Sequence, residues 1–535
     1  MLNHKQMALI NIGIAHLNAG RSVEAARVFA QLRIQNPGVV DPWYLGGLSA
    51  LKLGQHAQAR TLFSGALKIA PKHHMAAYHL GACYFQMAMF AEAETSLRQA
   101  VAIKADYVEA WEALGTTLHV INRLSEALDA YRKITAIKPN RAETWVSIGT
   151  IQLLLGQSSD AIRSHQKAID LNPELAIAYH ARGVALHQSH RIREAIADFE
   201  KTLQWNPRHR ESICYRLFCL NYLSDRTRED IFNEHVKGGM VFETPEQLAK
   251  NAERRFANPP NPERKLRLAF LSPDLRIHPV AFFLQPLIAN LDKERFEIFL
   301  YHNHFDEDSF SAVLKRSAKV WRNFMGMSDD KVETLIRADS PDMLIDLAGH
   351  SGLNRLSLFA RRLAPIQITY LGYPNTSGLR SMDYRLTDNL ADPEGDSDAF
   401  FTEKLIRFSS CAWCFWPPVR SPDPGPLPCH TGAPLTFGSF NSTCKLSERI
   451  LDIWSRVLQE VPDSRLLLKS QNWGERDLAQ ELGTRGIAPE RITRIPATPG
   501  ILEHLACYAS VDIALDTFPY HGTTTTCEAL WMGVP

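Results

Sequence analysis

Residues 107–140 read YVEAWEALGTTLHVINRLSEALDAYRKITAIKPN, and the chain on either side returns to the same plan every 34 residues. Glycine recurs at Gly13, Gly47, Gly81, Gly115, Gly149 and Gly183, and alanine in a fixed register at Ala25, Ala59, Ala93, Ala127, Ala161 and Ala195. Six matches at a single period are not chance. Pro37, Pro71, Pro139, Pro173 and Pro207 close the units, with Ala105 as the exception, and Trp43, Trp111 and Trp145 stand four residues before their glycines. Small residues mark where two antiparallel helices approach closely and large aromatics fill the space between them. Proline ends each second helix, because it lacks the N–H that a continuing helix needs.

A helix–turn–helix period of this length and punctuation is the tetratricopeptide signature. Six such units stack into a superhelix with a concave face, and each repeated Gly, Ala and Trp reads as packing. The positions expected to face inward, two before each glycine, are Asn11, Leu45, His79, Ala113, Ser147 and Ala181. Most of these cannot hydrogen-bond a peptide backbone as a ladder of amides would, Asn11 being the one amide among them, so the groove reads as a weakly specified protein-binding surface.

A chain of 535 residues, 45% hydrophobic and 22% charged, is long enough for more than one core. Lys plus Arg (59) nearly cancels Asp plus Glu (58), so the one-signed field that nucleic acid or an anionic membrane requires is missing. The first residues, MLNHKQMALINIGIAHLNAG, place their apolar side chains at helical spacing and do not form a signal peptide. No window reaches the roughly 18 apolar residues of a membrane-spanning helix. Nine cysteines scattered along the chain fit a reducing cytoplasm. Cys411, Cys414, Cys429 and His430 lack a second spaced pair and sit in a Pro-rich loop, so no metal site is expected there.

After a polar linker near residues 257–263, KLRLAFL (265–271) is a short run of strand formers followed by a loop and a helical stretch. FEIFLYH, DMLIDLAGH and IQITYLGYP continue that alternation to about Pro418, which predicts a doubly wound parallel sheet. Beyond the proline-crowded loop 417–434, LTFGSFN, RLLLK, RITRIPA and VDIALD predict a second sheet of the same kind. Open α/β sheets place ligands at the carboxyl ends of their strands.

Several residues at those ends can carry chemistry. His278 precedes Pro279 at the start of a predicted helix, where the positive helix end disfavours the imidazolium and leaves a ring able to accept a proton near neutral pH. The alternative is a histidine that only caps the helix. His350, in DLAGHSG at the end of another strand, is the second candidate base. The stretch DTFPYHGTTTT (516–526) ends a strand and opens a helix, so Gly522, Thr523, Thr524 and Thr525 offer hydroxyls and backbone amides as a phosphate cradle. Glu528, one turn on, can accept hydrogen bonds from a ribose, and Lys445 can neutralise a diphosphate leaving group.

SPDLRIHP, DLAGHSGLNR, PIQITYLGYPNTSGL, MDYRLTDNLADP, FGSFNSTCKL and DTFPYHGTTTTCEALWMGVP together resemble the protein O-GlcNAc transferase and SPINDLY family, over both halves of the chain. The resemblance implies a GT-B fold and a metal-independent, inverting transfer from a nucleotide sugar to Ser or Thr hydroxyls of proteins, with no cofactor beyond the donor. It further implies acceptor proteins bound in the repeat groove and possible pairing of two copies through the repeats. By motif, His278 matches the active-site histidine, Lys445 the diphosphate lysine, Thr524 and Thr525 the phosphate-contacting threonines, Glu528 a ribose-binding acid and His504 a histidine near the base. Thr523 stands where animal UDP-GlcNAc enzymes have histidine, and Ser442 where they have glutamine. These departures leave the donor open between UDP-GlcNAc and GDP-fucose; a repeat scaffold with a decayed transferase half is the third reading. The expected domains are a repeat superhelix (1–215), a helical linker (216–263), a first Rossmann-like domain (264–430) and a second (431–535). The C-terminal one of these is expected to be incomplete, since the family pattern continues past Pro535.

Overall fold

The computed structural model describes residues 4–418, 420–470, 473 and 476–535. The chain forms two compact units that divide between Ala185 and Leu186.

In the first unit helices alternate in pairs, from His4–Asn18 with Ser22–Gln35 to Ala142–Leu154 with Ser158–Leu171. The periodic glycines have a steric cause. A Cβ on Gly13, Gly47, Gly81, Gly115 or Gly149 would lie 2.6, 2.5, 2.6, 2.9 or 2.5 Å from the side chain sixteen residues on, respectively Phe29, Phe63, Leu97, Tyr131 and His165. The indole N–H groups of Trp43, Trp111 and Trp145 donate to the carbonyls of Pro37, Ala105 and Pro139 at 3.0, 2.8 and 3.1 Å. Ala105 can replace proline because the contact uses its backbone oxygen.

The turn inside each repeat has its own 34-residue register, with positive φ at Gly20, Gly54, Ala88, Asn122 and Gly156. Ala88 holds this left-handed geometry (φ 57°) against its Cβ. Ala88→Gly is therefore expected to stabilise the fold by about 0.5–1 kcal/mol. A urea midpoint that stays put or falls would contradict this.

The second unit begins with helices Ile192–Trp205, Arg210–Leu220, Arg228–Phe242 and Pro245–Ala252. They are locked onto the sheet domain at close range: a Cβ on Gly239 would meet the Gly378 carbonyl oxygen at 2.0 Å. The buried Glu243 carboxylate accepts from the backbone N–H groups of Arg380 and Ser381 at 2.6 and 2.8 Å.

The first sheet comprises β1 (Leu266–Ser272), β2 (Phe296–His302), β3 (Val320–Asn323), β4 (Met343–Asp346), β5 (Ile366–Thr369), β6 (Tyr384–Asp388) and β7 (Lys404–Phe408). All pairings are parallel and the order is β3-β2-β1-β4-β5-β6-β7. The second sheet has β8 (Thr436–Ser439), β9 (Arg465–Lys469), β10 (Ile492–Ile495) and β11 (Ile513–Ala514), parallel in the order β10-β9-β8-β11. A repeat solenoid followed by two parallel α/β sheets is the fold read from the sequence. Three strands were not legible: VWRN, YRLTD and KLIRF carry too many polar residues to stand out as apolar runs. Among the described residues no helix is long and apolar enough to cross a membrane.

Candidate active site

Each sheet reverses its strand order once, between β1 and β4 in the first and between β8 and β11 in the second. Loops leaving neighbouring strands diverge at such a point and open a crevice. Most of the candidate residues leave the sheets there.

On the second sheet, the loop after β8 carries Asn441, Ser442 and Lys445, and the loop after β11 carries residues 516–523. Lys445 Nζ donates to the His521 carbonyl at 2.7 Å and lies 4.2 Å from the Tyr520 ring centroid. Burial pulls its pKa below the usual lysine value, opposed by Cys444 and Asp516. Tyr520 in turn packs on Tyr222 and Phe218, with ring centroids 5.1 and 6.2 Å away, so helical side chains upstream of the sheets back the lysine's support.

Asp516 organises the cradle. Its Oδ1 accepts from Asn441 Nδ2, Thr517 N and Gly522 N at 3.2, 2.7 and 2.7 Å. The Gly522 amide, expected to be free for a phosphate, is thus held by a carboxylate. Asn441 Oδ1 accepts from the Thr525 hydroxyl at 3.1 Å. A side chain on Gly522 would strike both: its Cβ would sit 2.5 Å from Thr525 Oγ1 and 2.8 Å from Asn441 Oδ1. Thr523 is the N-cap of helix Thr524–Trp531 and gives it no side-chain cap. The amides of Thr524 and Thr525 open that helix and have no intrahelical acceptor.

Next to the cradle lies a chain of polar groups that the residue pattern showed only in part. Lys469 Nζ lies 2.6 Å from His504 Nδ1, and His504 Nε2 lies 3.0 Å from Glu528 Oε2. An ammonium can only donate, so Nδ1 accepts and Nε2 carries the proton given to Glu528. Tyr508, whose hydroxyl donates to the Thr525 carbonyl at 3.0 Å, packs its ring edge-on against His504. The structure brings His504 and Glu528 together. Lys469 was missed; its signal is a lysine ending the apolar strand RLLLK, where it is 3% exposed.

On the first sheet, His278 follows β1 and is the N-cap of helix Pro279–Asn290. Its Nδ1 accepts from Val280 N at 3.3 Å and its Nε2 lies 3.7 Å from Asp274 Oδ1. Burial lowers its pKa and Asp274 partly opposes the shift. The ring is therefore neutral at pH 7, with its proton on Nε2 while Nδ1 serves the cap.

His350, expected at the rim after β4, is buried instead among the helices leading into the sheet. It is 1% exposed, with Nε2 donating to the Ser377 carbonyl at 2.8 Å and Nδ1 3.4 Å from Cys214 Sγ. Beside it His235 donates from Nδ1 to the Ile231 carbonyl (2.7 Å) and accepts the Tyr373 hydroxyl (2.8 Å). Burial lowers the His350 pKa to about 3. Its ring is used up in packing, and the structure does not bring it together with the other candidates.

A helical-repeat unit followed by two parallel α/β sheets, each with its polar loops at the switch point, is an architecture that binds its ligands at those loops, and the family match gives its class, a glycosyltransferase. The profile described as Glycosyl transferase family 41 matches residues 191–413 and 431–535, close to the limits of the second unit, and a tetratricopeptide repeat profile matches 50–118. The chain belongs to glycosyl transferase family 41.

Among its relatives is a probable UDP-N-acetylglucosamine–peptide N-acetylglucosaminyltransferase SPINDLY of Petunia hybrida, 35% identical over 341 residues, which are 62% of this chain and 36% of the relative. The protein SEC of Arabidopsis thaliana, given the same probable activity, is 28% identical over 282 residues, 51% of this chain and 29% of its own length. The chain thus spans little more than a third of the SPINDLY relatives it matches. A solved structure of a lysine-to-methionine variant of the Thermobaculum terrenum O-GlcNAc transferase superposes with a TM-score of 0.72 at 30% identity, covering 80% of this chain and 81% of that one.

Proposed function

We propose that the chain transfers N-acetylglucosamine from UDP-GlcNAc to Ser or Thr hydroxyls of acceptor proteins, with inversion and without a metal ion. The observation that carries this is the cradle on the second sheet: Lys445 beside the uncapped start of helix Thr524–Trp531, with the threonine hydroxyls. An ammonium and helix N-terminal amides are the charges that stabilise a departing diphosphate, which is why the proposed reaction needs no divalent cation. Glu528 and His504, joined by a hydrogen bond beside the cradle, are the residues proposed to meet the ribose and base. The acceptor hydroxyl attacks the anomeric carbon as its proton passes to the proposed base, His278, the bond from that carbon to the diphosphate oxygen breaks, and UDP leaves. The names of the SPINDLY and SEC relatives favour UDP-GlcNAc. Thr523, in place of the histidine of the animal enzymes, favours GDP-fucose as the second reading. The repeat unit is proposed to hold acceptor proteins and to pair copies of the chain, and the nine free cysteines fit a reducing cytoplasm.

Titration with UDP, UDP-GlcNAc, GDP and GDP-fucose tests the reading, with binding of the uridine pair expected. Preference for the guanosine pair would move the assignment to fucose. Lys445→Ala is expected to weaken diphosphate binding by about 1.5–3 kcal/mol, the scale of a lost charged hydrogen bond. Unchanged affinity would remove Lys445 from the site.

A further inference from the structure

A cavity lies in the second unit, lined by none of the residues of the donor cradle. It encloses about 560 Å³, within the range of small-molecule sites, and is lined from the leading helices by Arg208, Arg210, Lys250 and Arg254 and from the first sheet's helical layer by Arg361. The lining carboxylates are Asp330 and Glu333.

Both carboxylates are already engaged. Glu333 accepts from Arg337 at 2.7 Å and Arg361 at 2.8 Å, with Arg254 at 3.8 Å, and Asp330 accepts from Arg361 at 2.7 Å. Asp329, just behind, is taken by Arg355 at 2.7 Å and is only 3.9 Å from Arg210. Arg208 and Lys250 are exposed and have no ion-pair partner among the described residues. Glu246, on the same segment and hydrogen-bonded to Thr244, is a carboxylate whose charge acts on both. Cations therefore outnumber carboxylates around a concave wall, an arrangement that repels itself until an anion fills it. Guanidinium forks from several directions suit the tetrahedral oxygens of phosphate.

We propose that this cavity binds a compact oligophosphate, of tripolyphosphate chemistry, at a site distinct from the donor cradle. Neither the transferase reading nor the family match assigns it.

The test is calorimetric titration of the full chain with sodium tripolyphosphate at constant ionic strength, with and without saturating UDP, on the unaltered protein and on Lys445→Ala. Binding is expected to persist in Lys445→Ala and in the presence of UDP, because the cradle is elsewhere. It is expected to weaken about tenfold or more in the Arg208→Ala, Lys250→Ala double variant, which removes the two cations without ion-pair partners. Lys250→Glu, at an exposed position, gives an independent reading if the double variant folds poorly, and should weaken binding in the same direction. Loss of tripolyphosphate binding in Lys445→Ala, displacement by UDP, or full affinity in the Arg208 and Lys250 variants would each overturn the proposal. The cradle's role stands or falls separately, on UDP binding to the unaltered chain and Lys445→Ala.

Discussion

Replacing His278 by alanine in the full chain is expected to lower sugar transfer about 10²–10⁴-fold, the usual effect of losing a positioned base, while nucleotide titrations change far less. A serine hydroxyl is a poor nucleophile until its proton has somewhere to go. His278 stands on the first sheet, whereas Lys445 and the threonine cradle stand on the second, so the two roles should separate by mutation. The geometry adds a condition: with Nδ1 accepting from Val280, the neutral ring holds its proton on Nε2, towards Asp274. Accepting a proton at Nε2 requires the tautomer to change and the long 3.3 Å cap bond to yield.

Asparagine discriminates between base and cap. His278→Asn keeps a good N-cap but has no basic nitrogen, so a base predicts transfer as low as in His278→Ala and a cap predicts recovery. Transfer restored by asparagine would assign His278 to the helix. Because the folded-state pKa lies below the ordinary 6.5, the acid limb of the rate should fall below pH 6.5.

The second large effect is on stability, which is expected to drop as pH falls from 7.5 to 5. His165 is fully buried in the first unit, and burial, reinforced by Arg182 and His180, lowers its pKa to about 4 from 6.5. The unfolded chain then binds more protons than the folded one below pH 6.5, so the stability present above 6.5 is lost as pH falls towards the folded pKa. At pH 5 the loss is about 2 kcal/mol for this residue. His79, lowered to about 4 by burial, acts in the same direction. In the second unit Asp346, raised to about 6 by burial, works the other way and partly offsets His235 and His350. His165→Phe places a ring where the first two repeats have Phe29 and Phe63, and should recover most of the loss at pH 5 in urea unfolding. A variant with an unchanged pH slope would exclude His165 as a source.

The repeat register, the two parallel sheets and the two loops of the cradle were legible from the residues alone, because each is a local pattern: a 34-residue period, apolar runs of strand length, and a glycine–threonine run where a strand gives way to a helix. A periodic glycine announces a close approach, but the ring that closes on it, Phe29 on Gly13 or His165 on Gly149, is fixed only when the helices pair. The polar strands β3, β6 and β7 depend on neighbours for their strand state and left no apolar signal.

The same holds for the chemistry. Sequence order put His278 and His350 in similar loops, one after β1 and one after β4. Tertiary packing separated them, leaving one at a helix cap beside Asp274 and closing the other under helices that begin more than a hundred residues earlier. Lys469 meets His504 across 35 residues and His504 meets Glu528 across 24, a chain of contacts that no local pattern encodes. Composition and periodicity determine which elements form, since those depend on neighbours in the chain. Which polar groups share a proton, and which histidines are buried beyond use, depends on neighbours in space.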